Sequence, residues 1–144
     1  MSLFSTLSIS ASGMAAQRTR AELLVENMAN AETTRTPDGG PYRRKDVVFE
    51  TQSASAPFRS LLDAEMSGGS GVRVAEIIVD QRDPERRYLP GHPDAGKDGY
   101  VLFPRLNPAE EMVDLMSASR GYQANVASMS AVKDMIQRSI DLLR

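Results

Sequence analysis

The sequence predicts an α+β protein: long N- and C-terminal α-helices pairing as an antiparallel coiled coil, with a small β-rich module inserted between them. Three observations carry this. Both ends of the 144-residue chain repeat apolar residues in alternating steps of three and four. The middle drops that period and shows short β-branched runs instead. Clusters of turn formers separate the helical ends from the middle. The expected units are residues 1–35, 36–106 and 107–144, with the first and last forming one helical domain.

The N-terminal seam reads Phe4, Leu7, Ala11, Met14, Arg18, Ala21, Val25 and Met28, with Arg18 its one charged member. A helix from about Leu3 to Ala31 would be roughly 43 Å long. The segment TPDGGP (36–41) ends it with turn residues. Tyr42 to Glu50, with Val47, Val48 and Phe49, reads as a strand. TQSASAP (51–57) reads as loop, FRSLLDAEM (58–66) as short helix or edge strand, and SGGSG (67–71) as a turn. Val72, Val74 and Ile77–Val79 predict a second strand, and Tyr100–Phe103 a third. Between these two, Asp80–Pro93 is rich in charge and proline and reads as loop.

Asn107 suits an N-cap, Pro108 the first helical position and Glu110 a capping box. The C-terminal seam follows: Met112, Leu115, Ser119, Tyr122, Val126, Met129, Lys133, Ile136, Ile140 and Leu143. This helix would be about 54 Å long. Each large seam residue is worth about 1.5–3 kcal/mol when fully buried. Two helices with such narrow seams bury little against each other alone, so the remaining surface is expected to find its partner on other chains. Gly121 costs about 1 kcal/mol in a helix. It lies in a thin stretch with Ser117, Ala118 and Ser119, matched near Ser12 and Gly13 of the first helix. Thin faces permit close approach, within the chain or between copies. Arg120 and Asn125, polar on a helix that must pack, are expected to bond between helices or between chains.

Composition excludes several function classes. The 17 basic and 19 acidic residues leave a net charge of -2, with no basic field for nucleic acid. The absence of cysteine excludes disulfides, thiolate metal sites and thiol nucleophiles. The longest apolar run is Tyr100–Phe103, too short to span a membrane, and the N-terminal residues lack a secretory signal pattern.

Chemistry-bearing clusters have plain structural readings. The stretch HPDAGKDGY holds the lone His92 with Asp94 and Asp98. A calcium loop starting at Asp94 would need a ligand where Gly96 stands and a glutamate where Arg105 stands. A turn ahead of a strand fits better. Glu110, Glu111 and Asp114 suit the first turn of a helix, where acids complement the macrodipole. Arg43-Arg44-Lys45 reads as a solvated strand edge, and the seam methionines as packing. No catalytic residue, cofactor or metal is expected. The rivals from other classes are a calcium module on 94–105 and a wall-glycan hydrolase using Glu110 and Asp114.

ASGMAAQRTR (Ala11–Arg20), ENMANAETT (Glu26–Thr34) and EEMVDLMSASRGYQANV (Glu110–Val126) resemble the terminal signatures of bacterial flagellar axial proteins. GGPYRRKDVVF (39–49), GVRVAEIIVD (71–80) and PGHPDAGKDGYVLFPRLN (90–107) are similar to the central part of a proximal-rod subunit in that family. Leu89, Arg105-Leu106 and a longer 51–70 segment depart from its pattern. The resemblance implies a periplasmic basal-body subunit passed through the flagellar type III export apparatus without a cleaved signal peptide. It implies helical polymerisation, with the terminal helices lining an inner channel, the β module outside and motor torque carried through helix contacts. The implied partners are further copies of the chain, the rod proteins FlgB, FliE and FlgF, and the membrane ring. No nucleic acid and no membrane span are implied. Another rod subunit of the family, such as FlgB or a distal-rod protein, is the nearest alternative. Packing and interface roles fall to the seam residues already named other than Phe4, Ala21, Lys133 and Leu143, together with Gly13, Asn27, Asn30, Thr33, Arg120 and Asn125.

Overall fold

The structure, a computed structural model, describes residues 3–37, 39–52 and 71–142. The elements expected over 58–66 and 67–70, most of the 51–57 loop, and Leu143 lie outside the described residues. The element order is α1 (Leu3–Ala29), β1 (Lys45–Thr51), β2 (Val72–Val79), β3 (Glu85–Tyr88), β4 (Tyr100–Phe103) and α2 (Pro108–Asp141). Two long helices thus flank two small antiparallel sheets.

Local chemistry explains the helix ends. Asn30 closes α1: its N–H donates to the Glu26 carbonyl at 3.1 Å and its side-chain amide donates to the same oxygen at 2.9 Å. The Thr33 hydroxyl then donates to Asn30 Oδ1 at 3.1 Å, so the Asn-rich motif builds a C-terminal turn. The chain reverses through Gly39 and Gly40, whose φ values of 88° and 81° lie in the left-handed region. At the other helix, Asn107 Oδ1 accepts the Ala109 N–H at 3.1 Å and Pro108 occupies the first turn. Glu110 meets the Asn107 side-chain amide at 3.3 Å instead of the backbone N–H that a capping box would use.

The sheets are separate ribbons. β1 pairs antiparallel with β2 in the register Val47↔Ile77, with an irregularity after Val48. β3 pairs antiparallel with β4, Arg86 opposite Leu102 and Tyr88 opposite Tyr100. The expected loop over Asp80–Pro93 is therefore corrected: it contains β3. Its sequence, ERRY, hides a strand because its arginines lay their guanidinium groups over aromatic rings of the facing strand. Arg86 stacks 5.1 Å from the Tyr100 centroid and Arg87 4.8 Å from that of Phe103.

The helices run in opposite directions. Asn27 meets Glu111, Arg20 meets Asp114, Gln17 lies against Gly121, and Gly13 against Asn125. The seam between them comprises Ser10, Gly13, Gln17, Arg20, Leu24 and Asn27 on α1, facing Glu111, Asp114, Ala118, Gly121 and Asn125 on α2. Small and polar residues dominate it, and the thin faces meet within the chain. The predicted apolar seam is displaced by one residue on both helices. Val25, Met112 and Ile140, expected to be buried, are 52%, 53% and 58% exposed, and Tyr122 and Val126 are also exposed.

One residue is roughly 100° around a helix. In an antiparallel pair the two displacements turn towards the same side. The apolar stripes of α1 and α2 consequently lie together on one flank of the pair. Leu7 and Met14 there share an open groove of about 550 Å³ with Val126, Met129, Ile136 and Ile140.

A methyl group added at Gly13 would sit 2.9 Å from Asn125 Oδ1. Gly13→Ala should therefore gain nothing in the native background, although alanine favours a helix by about 1 kcal/mol. In an Asn125→Ala background the same change should stabilise by about that amount. Urea unfolding of the four proteins in the cycle measures the difference.

Candidate functional site

A buried polar joint ties the two helices to the β module. Asn27 is fully buried near the end of α1. Its Oδ1 accepts from the Tyr42 hydroxyl at 2.9 Å and the Lys45 N–H at 3.0 Å. Its amide nitrogen donates to the Lys45 carbonyl and to Glu111 Oε2, both at 2.9 Å. Two donors and two lone pairs exhaust what an asparagine amide offers. Glu111, 1% exposed, accepts from Arg44 Nε through its other oxygen at 2.5 Å. Around this centre, Arg20 reaches Asp114 at 3.1 Å and Lys45 reaches Glu26 at 2.6 Å.

The electrostatics follow from burial and proximity. Burial first, then the charges of Glu26 and Glu111, push the Tyr42 phenol up to about 12. Burial works against the charge of Arg44, but its bond to Glu111 and the neighbouring carboxylates outweigh that and raise it. Two expectations are corrected here. Arg44 and Lys45 are structural ion-pair partners and do not form a solvated edge. Glu111 is a buried acceptor with a long-range cation, where a surface dipole role was expected.

The remaining predicted residues separate by their surroundings. Asn30 and Thr33 shape the turn after α1. Leu7, Met14, Met28, Leu115, Met129 and Ile136 are half-buried along the apolar flank, while Ala11, Val25, Met112, Ser119, Tyr122, Val126 and Ile140 are exposed. Arg18 is exposed and pairs with Glu22 at 2.8 Å on its own helix. Asn125 donates to the Gly121 carbonyl of its own helix at 2.9 Å and, among the described residues, its side chain makes no hydrogen bond to α1. Arg120 is exposed and, among the described residues, makes no hydrogen bond or ion pair.

The His92 stretch forms consecutive turns. Ala95 donates to the His92 carbonyl at 3.0 Å and Gly99 to the Gly96 carbonyl at 2.9 Å. His92 Nδ1 accepts the Asp94 N–H at 3.1 Å, and Asp94 accepts the Thr34 hydroxyl at 2.7 Å. Among the described residues, no group of three or more His, Asp or Glu side chains could hold a metal ion.

Residues 98–142 match the family described as flagellar basal body rod FlgEFG protein C-terminal, a region spanning β4 and all of α2. The likeness then extends over the whole chain. It is 41% identical to the flagellar basal-body rod protein FlgC of Bacillus subtilis, with 99% of each chain covered. The FlgC of Borreliella burgdorferi is 40% identical over 100% of this chain and 99% of its own, and that of Salmonella typhimurium 38% over 99% and 98%. The chain belongs to the FlgC family of flagellar basal-body rod proteins.

Replacing Glu111 by leucine strands the Asn27 amide and the Arg44 guanidinium. It should cost about 2–3 kcal/mol, less than breaking a fully buried pair because Arg44 is partly exposed. Denaturant unfolding against the native chain measures it. The raised Tyr42 pKa carries its own signature. The folded state holds the proton up to about 12, whereas an unfolded tyrosine loses it near 10. The stability due to neutral Tyr42 is full below pH 10 and is lost as pH rises from about 10 towards 12. Tyr42→Phe should remove that component, and absorbance titration should show one tyrosine ionising late.

Proposed function

We propose that the chain is a structural, non-enzymatic subunit of the bacterial flagellar basal-body rod. It polymerises helically with its own copies and with rod proteins such as FlgB, FliE and FlgF, forming a drive shaft next to the membrane ring. The shaft transmits motor torque and encloses the export channel. The observation carrying this reading is the apolar flank of the helix pair. Leucine, isoleucine, valine and methionine side chains from α1 and α2 gather on one side, while the intrachain seam is satisfied by polar and small residues. A flank of that kind calls for an external partner. Contacts between unlike surfaces of like copies generate an open helix instead of a closed ring.

In this reading the unit formed by residues 1–35 and 107–144 builds the inner tube, and the module of 36–106 faces outward. The three-and-four spacing of the apolar stripes supports coiled-coil packing between copies. The subunit reaches the periplasm through the flagellar type III apparatus, and its helices, held together by a thin seam, suit passage as an extended chain.

Aspartates at Met14 and Val126 would place charge on the flank without touching the joint. The doubly substituted chain should fold with nearly unchanged stability, yet fail to enter rods and abolish swimming in a strain lacking the native protein. Normal incorporation into purified basal bodies would overturn the reading.

A further inference from the structure

The outer face of the β3–β4 sheet carries a second surface that neither the joint nor the apolar flank uses. Along β4, Val101 and Phe103 are buried, while Tyr100 and Leu102 point outward at 42% and 41% exposure. Their partners across the ladder, Tyr88 and Arg86, complete the outward face. Tyr88 and Tyr100 meet edge to face with centroids 5.3 Å apart. Beside them opens a groove of about 530 Å³ lined by Pro84, Tyr100 and Leu102, by the carboxylates Asp83 and Asp98, and by Arg86. Among the described residues, neither carboxylate has a hydrogen bond or ion pair, and Arg86 is engaged by the Tyr100 ring. With Arg86 held on the Tyr100 ring, two free carboxylates against that one cation leave the groove a surplus of negative charge beside Pro84 and Leu102, complementary to a cationic side chain flanked by apolar ones.

The same chain presents such a group. Val113 and Met116 are 66% and 52% exposed on α2, and Arg120 follows one turn later on the same face. This row is distinct from the apolar flank through Met112, Leu115 and Tyr122. No acidic residue lies within four positions of Arg120 on either side.

We propose that the Asp83–Asp98 groove receives Arg120 of a second copy of the chain, with Tyr100 and Leu102 covering Val113 and Met116. The contact joins a β surface on one copy to a helix surface on the next, so it propagates and does not close. Tyrosine and arginine at the centre of a desolvated patch are the residue types that carry binding energy. The proposal rests on the reading that the chain assembles with its own copies.

The chain contains no cysteine, so single introduced thiols report contacts without background. One full-length copy carries Leu102→Cys, another Met116→Cys, and the mixture is oxidised mildly. A disulfide-linked heterodimer is expected, in several-fold excess over either homodimer. Asp83→Arg with Asp98→Arg in the first copy should lower its yield about tenfold, as should Arg120→Glu in the second. Both sets of reversals together should restore it. A parallel mixture of Ala11→Cys and Val126→Cys copies reads the apolar flank. Cross-links there without any between positions 102 and 116 overturn the groove assignment and leave the rod reading standing. Cross-links at neither pair overturn both. A dominant 102–102 homodimer, or a heterodimer indifferent to the charge reversals, overturns the choice of Arg120 as occupant.

Discussion

The Asn27 amide is the constraint on which the rest of the arrangement depends. One planar group binds a hydroxyl, a strand N–H, a strand carbonyl and a carboxylate, and these belong to the turn after α1, to β1 and to α2. Hydrogen bonds in a buried site are directional and costly to leave unmade. Four of them on one side chain set the rotation of α1, the entry of β1 and the register of α2 together. Burial of Glu111 is tolerable only because Arg44 and Asn27 complete its coordination. Every other feature of the helix pair follows from that registration, including which face is left over.

Much of the architecture was legible from residues alone. The 3–4 spacing placed both helices, Asn107-Pro108 marked the start of α2, and the β-branched runs located β1, β2 and β4. The strand β3 was hidden because charge and proline are local signals of loop, while its ladder depends on Tyr100 and Phe103, a dozen or more residues away. The joint was hidden for a similar reason. Glu111 looks like any acid in a first helical turn until Arg44, 67 positions earlier, is brought against it. Asn27 was singled out through its motif, yet its four partners come from separate parts of the chain.

The seam was the most instructive departure. Apolar periodicity found a real stripe on each helix, but the stripe faces outward and the helices meet one residue earlier. Two neighbouring rows share the same spacing, so period alone cannot choose between them. Hydrophobicity favoured the row with methionine, valine and isoleucine. The intrachain contact uses the other row because Gly13, Gly121 and Ala118 let the backbones approach and Asn27 and Glu111 lock the register. In a protein whose proposed role is assembly, the greasiest face is the wrong one to assign to its own core.

This division of labour has a consequence for how one subunit can serve in unequal places. Directional bonds face inward and fix one shape for every copy. The outward flank is rich in methionine and unbranched contact area, with Met14, Met28, Met112 and Met129 along it. Such side chains are pliable and accept neighbours at differing angles with little loss. In the proposed shaft, neighbours of more than one kind would present the subunit with non-identical surroundings. Strict chemistry inside and forgiving chemistry outside would let a single sequence fit such differing neighbours in the proposed assembly without a separate conformation for each.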